Sequence, residues 1–89
     1  MPELIYSEQA DNMLTELEAD PARTLLTARI HSALDQLEDN PGATECRRRR
    51  FENIGGWGIP VSAQGEEWLI LWEPHNDDEI LVSAITPAP

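Results

Sequence analysis

The chain has 89 residues and a mass of 10.0 kDa, room for one hydrophobic core and so for a single domain spanning 1–89. Its 40% hydrophobic and 26% charged residues exclude the disordered, collagenous and membrane classes. With 17 acids against 6 arginines and no lysine, a formal net charge of -11 repels polyphosphates and favours basic partners.

Glu3 to Ser7 are short, apolar and partly β-branched, which predicts a strand ending where Ser7 caps a helix. Ala10, Met13, Leu14 and Leu17 then share one helical face, while Asp11, Glu16 and Glu18 point outward. Asp20-Pro21 repeats the start signal, because aspartate caps well and proline loses nothing at the first helical position. A second helix is therefore expected from Pro21, with Leu26, Ile30, Ala33, Leu34 and Leu37 as its apolar stripe, until Asn40-Pro41-Gly42 stops it. The short connection predicts a helical hairpin.

From Glu45 the period changes to two. A strand over Glu45 to Glu52 would put Arg47 and Arg49 on one face and Arg48 and Arg50 on the other. After turn chemistry at Asn53 to Gly56, Trp57, Ile59 and Val61 alternate with Gly58, Pro60 and Ser62, and Pro60 marks a short, bulged or edge segment. Ala63-Gln64-Gly65 predicts a hairpin turn. The next strand is apolar on both faces, with Trp68, Ile70 and Trp72 on one and Leu69 and Leu71 on the other, which marks it as central. Pro74 to Asp78 turns the chain into a last strand from Glu79 to Ile85. The expected class is α+β: an N-terminal strand, a helical hairpin, then an antiparallel meander with one face covered by helices.

That order resembles the RelE/ParE superfamily, the toxin half of bacterial type II toxin–antitoxin modules, whose plan is β-α-α-β-β-β. The likeness spans nearly the whole chain. It is carried by the loop-opening Asn40-Pro41 after an alanine/leucine stripe, the basic run, Trp57-Gly58-Ile59-Pro60-Val61, and Trp68-Leu69-Ile70-Leu71-Trp72-Glu73 with acidic turn residues after it. Ribosome-dependent members cut messenger RNA with basic residues on the sheet and a histidine or tyrosine near the carboxyl end. The corresponding places here hold Leu69, Gly58 and Pro60, and the chain ends Thr86-Pro87-Ala88-Pro89. The resemblance therefore implies a toxin-like protein acting mainly by protein–protein binding, with a cognate antitoxin as partner.

Each feature has a functional and a bland reading. Arg47, Arg48, Arg49 and Arg50 form the one patch suited to phosphate or to a carboxylate-rich tail, yet in so acidic a chain pairing with glutamates is the default expectation. With His75 they would serve an endoribonuclease, Arg48, Arg50 and His75 being the catalytic candidates, but a histidine in Pro74-His75-Asn76 is first a turn residue. Trp57, Trp68 and Trp72 divide evenly between core and interface. His31 reads as a packing or surface residue, Cys46 as a buried thiol, and Asp77-Asp78-Glu79 as a turn lacking the ligand pattern of a calcium loop.

No cofactor or metal site is implied. No apolar run approaches the roughly 18 residues of a membrane helix, the first ten residues lack signal-peptide layout, and one cysteine cannot close an internal disulfide. The expected compartment is the cytoplasm. Three functions stay open: a binding toxin, a ribosome-dependent endoribonuclease, or an acidic interaction protein that mimics nucleic acid and occupies a basic groove on a host or defence protein. A homodimer is also compatible.

Overall fold

A computed structural model describes residues 3–47, 49–51 and 56–88. The elements run β1 (Glu3–Tyr6), α1 (Glu8–Glu18), a 3-10 turn (Pro21–Arg23), α2 (Thr24–Asp39), a second 3-10 turn (Thr44–Arg47), β2 (Arg49–Phe51), β3 (Gly56–Ala63), β4 (Glu66–Pro74) and β5 (Glu79–Pro87). This is the expected α+β order. The strands form one sheet, β1-β5-β4-β3-β2, antiparallel except for the parallel pair β1 and β5. β4 lies at the centre, as its apolar faces require.

Local chemistry explains the boundaries. Ser7 Oγ accepts from the Ala10 N–H, 3.1 Å, and donates to the Ser83 carbonyl, 2.7 Å, so one hydroxyl caps α1 and ties it to β5. Asp20 Oδ1 accepts from the Ala22 N–H at the start of Pro21–Arg23. That segment is a single 3-10 turn, and α2 proper begins at Thr24, three residues later than proline signalled. The β3–β4 hairpin closes on Gln64 and Gly65, both at positive φ (54° and 78°), the left-handed pair demanded by a tight turn whose twist matches its strands. Gln64 then reaches the helical layer, accepting from the Leu26 N–H and donating to the Ala22 carbonyl.

The core lies between the helices and one sheet face. Leu17, Leu26, Ile30, Leu34 and Leu37 meet Ile59, Val61, Trp68, Ile70, Trp72, Ile80, Val82 and Ile85. α1 packs on β5 and α2 on β3. β5 absorbs one extra residue at Ser83, so that Ala84 opposes Leu71 while Val82 opposes Trp72, and it continues to Pro87, two residues past the expected end. Beyond the end of β1, the Gln9 amide takes over the ladder, donating to the Ile85 carbonyl and accepting from its N–H, both at 3.1 Å. Pro60 sits where expected: β2 pairs β3 only at Gly56 to Gly58, so β3 has no second neighbour at Pro60 among the described residues.

The basic strand requires a correction. Glu45 to Glu52 is not one extended segment, because Thr44–Arg47 is a 3-10 turn and β2 holds only Arg49–Phe51. The cause is tertiary. Cys46 enters the core, and its carbonyl accepts the Trp72 indole N–H at 2.7 Å, which holds the backbone there in a turn. Arg47 and Arg49 therefore do not share a strand face, and Arg48 and Glu52 lie outside the described residues.

Candidate functional site

The arginines and tryptophans meet at one end of the sheet. Register places Arg50 opposite Trp57, on the helix-covered side, and Arg49 opposite Gly58, on the other. Arg47 arrives from the 3-10 turn. Its guanidinium lies 4.4 Å from the Trp57 ring centroid and 5.8 Å from that of Trp72, and Arg50 lies 4.6 Å from Trp57. The two indoles are themselves stacked, centroids 4.9 Å apart. Each guanidinium is also anchored: Arg47 Nε donates to the Pro41 carbonyl, 3.0 Å, and Arg50 Nη1 to that of Gly56, 3.1 Å.

Among the described residues, acid pairing, the default expectation for this run, does not occur at Arg47, Arg49 or Arg50. The ion pairs among the described residues are those of Arg23 with Asp20 and Glu66, and His31 Nε2 lies 3.1 Å from Glu18 Oε2. Tryptophan supplies the counterpart instead, because its electron-rich face attracts a cation over a short range. A Cβ on Gly56 would collide with the Trp72 carbonyl oxygen, so this end of the sheet closes only with glycine there.

Beside the cluster lies a recess lined by Pro41, Arg47, Trp72, Pro74, Asp77 and Ile80, with a volume of about 280 Å³. Asn76 completes it. The recess joins the loop after α2 to the β4–β5 turn, positions more than thirty residues apart in sequence. His75 belongs to the same turn, exposed, with its backbone N–H donating to the Glu79 carbonyl. Its ring is in none of the contacts that organise the arginines.

Trp68 and Trp72 are core residues, as their shared face with Ile70 dictates, and Trp57 is half-buried at the margin. Arg23 covers Trp68 at 5.6 Å while clamping Glu66 through two hydrogen bonds of 3.0 and 3.1 Å. Cys46 is buried and His31 borders Glu18 at the helix surface. Among the described residues no group of three His, Cys, Asp or Glu is arranged to hold a metal, and no helix is long and apolar enough to cross a membrane.

The opposite sheet face carries a second feature. The register sets Ile5 beside Leu81, Leu81 beside Glu73, Leu71 between Ala84 and Gly58, and Leu69 between Thr86 and Pro60. Among the described residues no helix packs there. Leu69 is buried yet stands outside the core cluster, while Ile5, Leu71 and Leu81 keep partial exposure. Among the described residues, the register assigns Glu3, Glu67, Glu73 and Glu79 to the same face, against one cation, Arg49. Leucines at Leu69 and Leu71 were legible from alternation, but their joining with Ile5 and Leu81 depends on β1 and β5 being neighbours. Compared with protein-family models, curated proteins and solved structures, the chain finds no match.

Proposed function

We propose that the protein works by protein–protein binding, as a toxin-like partner of a small antitoxin, through the sheet face opposite the helices. One observation carries this reading: an apolar strip of half-buried Ile5, Leu71 and Leu81 runs across β1, β5 and β4 and, among the described residues, is bordered by four glutamates and one arginine. Apolar area supplies affinity, and the excess of carboxylates selects a partner segment with apolar residues between basic ones. The long-range field of a chain at -11 speeds the approach of that partner. Binding fits the arginines too, since Arg47 and Arg50 are anchored on tryptophan and backbone carbonyls while His75 stands apart.

The test is purification of the tagged chain from its native host, with identification of what is retained. A small basic protein should be held by the unaltered chain and lost from Leu71→Asp and Leu81→Asp. Growth arrest on expression should survive His75→Ala. Retention unchanged by both aspartates, or arrest abolished by His75→Ala, defeats the proposal.

A further inference from the structure

The arginine–tryptophan end is a separate surface from the apolar strip, and it is electrostatically incomplete. Arg47 and Arg50 place two like charges on one indole, 4.4 and 4.6 Å from its centroid. Among the described residues, neither has a carboxylate within ion-pair distance. Each uses one N–H group on a backbone carbonyl and lies over the Trp57 ring, so position is set while, among the described residues, the other donors stay available. Holding guanidinium groups in place before a ligand arrives removes the ordering cost that weakens most surface arginine contacts. Carboxylates match that planar fork.

We infer that Arg47 and Arg50 form a carboxylate clamp, taking an acidic side chain of an extended protein segment whose neighbouring apolar residue fills the recess beside Arg47. The recess suits such a neighbour, with Trp72, Pro41, Pro74 and Ile80 as its apolar walls. Asp77 in the same lining disfavours a second anion and suits an amide or a cation on the segment. The overall charge decides between carboxylate and nucleic acid. Repulsion from the chain's field grows with every charge a ligand carries, so one local carboxylate is tolerated where a run of phosphates is not.

The clamp deepens the binding reading and rests on there being a protein partner, but its assay needs no partner. The intact protein is titrated at low salt, by Trp fluorescence and calorimetry, with an acetylated and amidated pentapeptide carrying glutamate between leucines. Its glutamine analogue and a single-stranded oligouridylate are run beside it. The glutamate peptide should bind at least about tenfold tighter than the glutamine peptide, a difference of roughly 1.4 kcal/mol. Arg47→Gln and, independently, Arg50→Gln should each erase that preference, with near-UV circular dichroism showing the fold retained. Equal affinity for the two peptides, no binding of either, or tighter binding of the oligouridylate overturns the clamp. Loss of the clamp with antitoxin capture intact leaves the apolar-face reading standing, and the reverse result removes only that reading.

Discussion

Two buried indoles on the same strand face differ in their hydrogen bonding. Trp72 Nε1 donates to the Cys46 carbonyl, whereas Trp68 Nε1 is buried without a hydrogen-bond partner among the described residues. Trp72→Phe removes a made bond and Trp68→Phe removes an unmet donor, while the volume lost is the same. Trp72→Phe should therefore destabilise by about 2 kcal/mol more than Trp68→Phe, read as a larger fall in the urea midpoint; equal falls would contradict the Cys46 bond. Tyr6 supplies a pH prediction. Burial raises its pKa above 10.0, helped by the charges of Glu38, Asp35, Asp11 and Glu18. A phenol that ionises later in the folded state than in the unfolded one contributes stability below pH 10.0, and that contribution is lost as pH rises through the folded value. Tyr6→Phe should flatten the fall in melting temperature above that pH. A fall of unchanged slope would show that Tyr6 is not the group responsible.

At the scale of elements, single side chains join helix to sheet. Ser7 serves α1 as cap and β5 as hydrogen-bond donor, and Gln9 extends the β5 ladder where β1 stops. Ser7→Ala should cost about 1–2 kcal/mol, more than an isolated cap gives, because two bonds are lost together. Ser7→Thr, which keeps the hydroxyl, should recover most of it; no recovery would point to packing instead. The cap was readable because Ser7 stands immediately before a 3.6-residue apolar period. The second bond was not, since Ser83 is 76 positions away. The basic run shows the same division. Its alternation was sound for Arg49 and Arg50, which do take opposite faces, but Cys46 is drawn into the core and turns Arg47 out of the strand.

Across the whole molecule, charge is spread unevenly. The helices α1 and α2 carry Glu8, Asp11, Glu16, Glu18, Asp35, Glu38 and Asp39 against Arg29 alone, while three described arginines gather at the β2 end. Self-repulsion opposes the folded state, and salt screens it over about 10 Å at 0.1 M. Raising sodium chloride from about 20 to 500 mM should raise the melting temperature by several degrees and weaken the glutamate peptide at the clamp. A melting temperature that falls with salt would mean that the ion pairs of Arg23 outweigh the repulsion.

Short-range chemistry determined much of this protein from sequence alone. Caps, apolar periods, the Gln64-Gly65 turn and the doubly apolar central strand specify two helices and a meander, because each depends on contacts within a few residues. Strand neighbours were decided only by the tertiary structure. Pairing β1 with β5 assembles the Ile5–Leu81–Leu71 strip, and burial of Cys46 brings Arg47 over Trp57 beside a recess shared with the β4–β5 turn. Those contacts join separate elements of the chain, and their energy comes from what the folded chain excludes from water, a quantity no local pattern records.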